Sequence, residues 1–238
     1  MIRILTWLWR IPECRTQYRA EHVNTWAAMI RRNITMDHTI ACVTDIPERI
    51  DPSIEIIDLP RDFVDVRIPT WGERLPQCLR RLAMYRPDAA DIFGERFVSM
   101  DLDCVIGGSL DPLFDVKDDI KLYKGTSRSR PYNGSMQLMT AGARSQVYTE
   151  FTPERAAEAG KKYLGSDQAW ISHCLGAGEA TWDLADGVAW WGARHQSPIP
   201  DRRIMFFPGH PKPWDCPWPD ADTQWVQRHY RQDMQEAA

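Results

Sequence analysis

The chain has 238 residues, 43% apolar and 26% charged, with 29 Lys and Arg against 33 Asp and Glu for a formal charge of −4. This length suits one large domain and the apolar share supplies a sizeable core, which excludes disordered, collagen-like and coiled-coil architectures. The slightly acidic balance lacks the basic surplus of a protein that mainly holds nucleic acid or anionic lipid, so neither is expected as a partner.

The opening Ile4 to Trp9 run, flanked by Arg3 and Arg10, is too short for a secretory signal. No later stretch approaches the ~20 apolar residues of a membrane span, so a cytoplasmic protein with no transmembrane segment is expected. Six scattered cysteines with no C-x-x-C pair read as buried thiols rather than a zinc module or disulfide scaffold. Ile2 to Trp7 reads as a first strand. Tyr18 to Arg32 reads as a helix, with Val23, Trp26, Ala27 and Ile30 at i, i+3, i+4, i+7. Thr39 to Val43 and Ile54 to Leu59 follow as strands, Leu75 to Tyr85 as a helix carrying Leu75, Leu79 and Leu82 on one face, and Arg96 to Met100 as a fourth strand. Strands alternating with helices predict an α/β fold with a mostly parallel, Rossmann-like central sheet flanked by helices. Ligands of such sheets bind at the carboxyl ends of strands, which directs attention to Asp45 and Asp101.

The second half is less periodic. Ile120 to Tyr123, Met136 to Met139 and Ile204 to Phe207 read as strands, and Pro153 to Lys162 and Asp167 to Leu175 as helices. Pro208 to Asp222 is rich in Pro, Asp and Trp and resists core assignment; a last helix turns Trp225 and Val226 inward. With no repeat and no Gly/Ser-rich linker, residues 1–238 are expected to form one domain. Its nucleotide-binding half would run over about residues 1–115 and its acceptor-side half over about 116–238.

The chemistry concentrates after the fourth strand. Asp101-Leu102-Asp103 sets two carboxylates two residues apart just past a strand end, a hard-oxygen pair suited to Mn²⁺ or Mg²⁺. The pattern is weak alone, since Asp220-Ala221-Asp222 repeats it in the polar tail, where no strand precedes it. Further on stand Tyr132-Asn133-Gly134-Ser135-Met136-Gln137, then Gly165-Ser166-Asp167-Gln168, then Gly209-His210-Pro211-Lys212-Pro213-Trp214.

In these motifs and their order, the chain resembles the glycosyltransferases of family 8, the group of glycogenin and the lipopolysaccharide galactosyltransferases, and their compact bacterial and phage relatives. The resemblance runs from the Ile2 strand to Trp214 and implies a GT-A fold and retaining transfer from a nucleotide-diphospho-sugar, most simply a UDP-sugar, to an unidentified glycan, lipid or protein acceptor. It implies that Asp103 is the main metal ligand, with Asp101 beside it, and that Asn133 contacts the donor sugar. Asp167 and Gln168 would lie beside the reacting carbon, with Gly209 and Lys212 on the diphosphate and Arg81 on a helix near the donor. Trp7, Thr6 and Asp45 are candidates for the base. One departure stands out: the family's metal-binding His precedes that Gly, whereas Phe206-Phe207-Pro208 stand here and a His comes only at His210. Either His210 reaches the metal from a shifted loop, or the third protein ligand is missing.

Plainer readings stand beside these. Asn133-Gly134 is a turn signal, Asp167 suits a helix N-cap, Lys212 and Arg81 suit surface cations, and most of the 11 Trp suit the core. A nucleotide-sugar or carbohydrate-binding protein without turnover is the alternative function. A nucleotidyltransferase or nucleotide-sugar hydrolase fits less well, because Trp7 to Thr16 contains no glycine for a phosphate loop.

Overall fold

The computed structural model describes residues 1–12, 14–72, 75, 77–127, 130–198, 201–216 and 220–233. β1 (Ile2–Leu8) alternates its side chains between two apolar clusters. Ile2, Ile4 and Leu8 face α1 (Ala20–Asn33), whose Val23, Trp26, Ala27 and Ile30 are fully buried, while Leu5 and Trp7 face the other side. β2 (His38–Thr44) and β3 (Glu55–Asp58) extend outward from β1 in parallel register.

The helix expected over Leu75 to Tyr85 is a 3-10 helix over Leu79–Tyr85; Leu79 and Leu82 are buried as anticipated, Leu75 stands outside it, and Pro76 lies outside the described residues. The residue before Pro87 is pushed to extended backbone, Arg86 at φ −60° and ψ 147°, which ends the winding. A short α2 (Ala89–Phe93) follows, closed by Gly94 at φ 87°, and then β4 (Arg96–Met100) returns beside β1. β5 (Cys104–Ile106), α3 (Asp111–Phe114), β6 (Ile120–Ser127) and β7 (Arg130–Thr140) come next. α4 (Gln146–Thr149), α5 (Pro153–Lys162), α6 (Asp167–Leu175), β8 (Ala180–Trp182), β9 (Val188–Trp190), β10 (Ile204–Phe206) and α7 (Ala221–His229) complete the order.

The main sheet runs β3-β2-β1-β4-β7-β6-β8, with only β7 antiparallel to its neighbours; a second sheet, β5-β10-β9, packs beside it. The chain winds outward from β1 through β2 to β3 and then resumes on the other flank with β4, so the strand order reverses between β1 and β4. That reversal opens a crevice at their carboxyl ends, the usual ligand position in an open α/β sheet. The two expected halves interleave, since β7 pairs with β4 and β10 pairs with β5.

The Pro-rich tail is less loose than its composition suggests. Lys212 and Pro213 are buried, and the Trp214 ring stacks on His22 of α1 at 4.0 Å. Residues 217–219 lie outside the described residues. The second acidic pair is structural: Asp220 caps α7 by accepting from the Thr223 amide at 2.8 Å, and buried Asp222 accepts from Arg202 Nη1 at 2.8 Å.

Candidate active site

At the switch point the chain leaves β4 through Asp101, whose amide donates to the Ser135 carbonyl at 2.9 Å, and enters β5 after Asp103. β10 brings the tail back, because the Phe207 amide donates to the Asp103 carbonyl at 2.8 Å. The loop beyond then turns Lys212 inward, and its ammonium donates to Asp103 Oδ2 and, at 2.9 Å, to the Phe207 carbonyl. Gly209 makes that turn at φ 95°, a conformation that favours glycine.

On the opposite wall, β7 breaks register with β6 between Leu122 and Tyr123, so Asn133-Gly134-Ser135 forms a bulge inside a strand rather than a hairpin turn. Asn133 Oδ1 accepts from the Ser135 amide at 2.8 Å and fixes the bulge. Gly134 has to be glycine: a Cβ there would stand 2.6 Å from Arg81 Nη2 and 3.2 Å from Asp167 Oδ2. The first turn of α6 brings Asp167 and Gln168 over this bulge, with Gln168 Oε1 accepting from the Gly134 amide at 3.2 Å. Ser166, not Asp167, occupies the N-cap position of α6, with no side-chain capping bond, and the Asp167 carboxylate is directed elsewhere.

It is directed to Arg81. This guanidinium is buried, not a surface cation, and donates from Nε and Nη2 to Asp167 Oδ2 at 2.8 and 2.6 Å and from Nη1 to Asp101 Oδ1 at 2.5 Å. Burial alone would lower its pKa, but the Asp167 and Asp101 carboxylates outweigh burial and hold the guanidinium charged. Burial raises the pKa of Asp101; Arg81 opposes that and Asp103 adds to it. Tyr18 donates its hydroxyl to Asp103 Oδ2 at 2.9 Å, and burial followed by the two carboxylates raises its pKa well above the ordinary phenol value. The nearby Cys78 thiol is pushed up to about 12, chiefly by burial, and stays protonated.

Together these groups line a cleft of about 420 Å³, within the range of small-ligand sites. Of the anticipated residues, Thr6, Trp7, Arg81, Asp101, Asp103, Asn133, Asp167, Gln168, Gly209 and Lys212 all line it. Thr6 and Trp7 do so as buried wall, since Thr6 Oγ1 donates to the Met100 carbonyl at 2.9 Å and Trp7 Nε1 to Ser99 Oγ at 3.0 Å. Two of the anticipated residues stand outside that lining. Asp45 is exposed at the end of β2, one strand away from the switch point, and does not line the cleft. His210 is also exposed and outside the lining, because its loop turns Lys212 inward instead.

No protein-family model and no curated protein matches the sequence, but solved structures match the fold. The galactosyltransferase LgtC, in complex with donor and acceptor sugar analogues, superposes with a TM-score of 0.61 at 12% identity over 95% of this chain and 93% of that one. GlyE of Streptococcus pneumoniae TIGR4 gives 0.63 at 13% identity over 98% of this chain, which spans only 62% of GlyE. Mouse xyloside xylosyltransferase 1 gives 0.53 at 12% identity over 86% and 96% of the two chains. The chain has the GT-A glycosyltransferase fold.

On this GT-A scaffold the acidic pair can be tested as a cation site. Asp101 and Asp103 are hard oxygen donors on one cleft wall, and the Lys212 ammonium already occupies a cation's place beside Asp103. No third ligand joins them: among the described residues no group of three or more His, Cys, Asp or Glu could hold an ion. Three residues before Gly209 stands Phe206, buried against Tyr123 at 5.4 Å between ring centroids. To hold a divalent ion the two carboxylates would exchange their present cation partners, Arg81 at Asp101 and Lys212 at Asp103, and phosphate and water oxygens would complete the shell.

Sequence reasoning missed Tyr18, Ser135, Trp190 and Arg130, all of which line the cleft. Tyr18 meets Asp103 across 85 positions, and no local pattern signals such a contact.

Proposed function

We propose that the chain is a glycosyltransferase that moves a sugar, with retention, from a nucleotide-diphospho-sugar, most simply a UDP-sugar, to an acceptor hydroxyl on a glycan, lipid or protein. The observation that carries this reading is the convergence of four sequence-distant motifs, Asp101/Asp103, Asn133/Gly134, Asp167/Gln168 and Gly209/Lys212, on one cleft at the switch point of a GT-A fold.

In the reaction the bond from the sugar's anomeric carbon to the diphosphate oxygen breaks, and the bond to the acceptor oxygen forms on the same face. The acceptor's proton passes to the departing diphosphate. Lys212 provides a buried cation for that leaving group. Arg81 orients Asp167 through two hydrogen bonds, and Asp167 with Gln168 supports the positive charge that develops at the anomeric carbon. Asn133 and the Gly134 bulge shape the sugar's seat. A Mn²⁺ or Mg²⁺ ion, when bound by Asp101 and Asp103, would neutralise diphosphate charge. No helix among the described residues is long and apolar enough to cross a membrane, and no disulfide forms among them.

Thermal unfolding with UDP, GDP and CMP, each with and without Mn²⁺, tests the reading, because a ligand that binds only the folded state raises the midpoint. A rise with UDP and Mn²⁺ together, absent in Asp103→Asn, is expected, followed by sugar transfer from a UDP-sugar that falls more than about a hundredfold in the same variant. No shift with any nucleotide would sink it. Binding without transfer or hydrolysis would favour the second reading, a non-catalytic nucleotide-sugar-binding protein, for which Phe206 in place of a third ligand speaks.

A further inference from the structure

A second hollow of about 500 Å³ adjoins the cleft, and the two share Thr126 and Trp190. Trp190 ends β9, and its indole lies so close over Gly192 that a Cβ there would stand 2.0 Å from the ring. Beside this junction stands Arg130, the first residue of β7, which lines the cleft yet is only 7% exposed. Its Nη1 donates to the Leu164 carbonyl at 2.7 Å and its Nη2 to Thr126 Oγ1 at 3.2 Å, while Nε is buried with no partner among the described residues.

Both of those acceptors are neutral. Arg81 holds Asp101 and Asp167, Arg202 holds Asp222 and Lys212 holds Asp103, but among the described residues no carboxylate lies within ion-pair distance of Arg130. The acid whose field reaches it, Asp167, is already bonded twice by Arg81, and burial draws the Arg130 guanidinium pKa down. A buried charge without a counter-charge is costly, and a guanidinium fork matches carboxylate and phosphate geometry. Arg130 stands on the β7 and α6 side of the cleft. Thr126, Leu164 and Asp167 surround Arg130, whereas the Asp103 and Lys212 pair belongs to the β4 end.

We propose that Arg130 determines specificity by reading an acidic group, carboxylate or phosphate, on a substrate sugar at the junction of the two hollows. This rests on the nucleotide-sugar reading above. The acidic group belongs either to the donor's sugar or to the acceptor's.

The test measures affinity by calorimetry in the full chain with Mn²⁺. One arm compares UDP-glucuronic acid with UDP-glucose. The other compares methyl glucuronide and glucose 6-phosphate with methyl glucoside at saturating UDP. In one arm the acidic member is expected to bind at least tenfold tighter, and that arm names the source. Arg130→Gln is expected to erase the preference while leaving UDP affinity within twofold, and Arg130→Lys, which keeps the charge without the fork, to give an intermediate value. Equal affinities in both arms, or a preference that survives in Arg130→Gln, overturns the proposal. If Arg130→Gln does not fold, Arg130→Lys must still cut the preference at least threefold, and an undiminished preference overturns it. Failure of UDP itself to bind the wild type overturns the nucleotide-sugar reading and this proposal with it; UDP binding without any preference overturns this proposal alone.

Discussion

Arg81→Met tests the charge arrangement that holds the cleft together. The Asp167 side chain is 3% exposed and Arg81 9%, so methionine, similar in length, leaves Asp167 buried without its cation. Breaking a buried ion pair from one side costs about 3–5 kcal/mol. For a chain of this size that lowers the unfolding midpoint by roughly 6–20 °C, at ~2–4 °C per kcal/mol. Asp167→Asn alone is milder, about 1–3 kcal/mol, because Arg81 keeps Asp101. The decisive variant is the double one, Arg81→Met with Asp167→Asn. It removes both charges and is expected to be more stable than Arg81→Met by about 2 kcal/mol or more, yet equally inactive in transfer. Acidity supplies a second check. The Asp101 pKa is already raised by burial, so its ionised form is disfavoured in the fold, and its contribution is present at low pH and lost as pH rises through the folded value. Removing Arg81 strengthens that effect, so the deficit of Arg81→Met should shrink from pH 7 to pH 4. Thermal unfolding by circular dichroism reads both outcomes. An Arg81→Met protein with wild-type stability, or a double variant no more stable than the single, would refute the reasoning.

Gly134→Ala forces a Cβ to 2.6 Å from Arg81 Nη2, which Asp101 and Asp167 hold in place; a loss of about 1–3 kcal/mol with loss of transfer is expected, read by unfolding and assay on one preparation. Asp222→Ala strands buried Arg202 and should cost about 3–5 kcal/mol while leaving UDP affinity unchanged, which separates the structural acidic pair from the one in the cleft. Asp220→Ala removes only the α7 cap and should cost about 1 kcal/mol in the same melt. Burial, with Arg228, Arg32 and Arg231 nearby, lowers His229 from 6.5 to about 4, so the fold holds it neutral. Its stabilising contribution is complete above pH 6.5 and drains away as pH falls towards 4. The midpoint of His229→Gln should vary less over that window than the wild type's, and parallel curves would refute the assignment.

The legible part of this protein was local. The apolar run of β1, the i, i+3, i+4, i+7 stripe of α1 and the bounds of β4, α5 and α6 follow from where apolar side chains must go, and the structure keeps them. The four motifs were readable because each is a short run whose residue types are set by chemistry. Leu75 to Tyr85 misled because an apolar repeat at helical spacing does not distinguish a tight 3-10 winding from an α-helix when prolines bound it. Pro208 to Asp222 misled because its composition is that of a loop, while Lys212 is buried by carboxylate and carbonyl partners far away in the chain.

The sequence by itself determined the α/β layering and the acidic step at the end of β4, since both depend on neighbours a few residues apart. Only the tertiary structure decided which carboxylates share a cation, that Asp45 and His210 stand outside the cleft lining, and that Arg130 is buried with no acid paired to it among the described residues. Ion pairing and desolvation act through space across separations such as the 86 residues from Arg81 to Asp167, and no local pattern records the crossing of strands that brings such groups together.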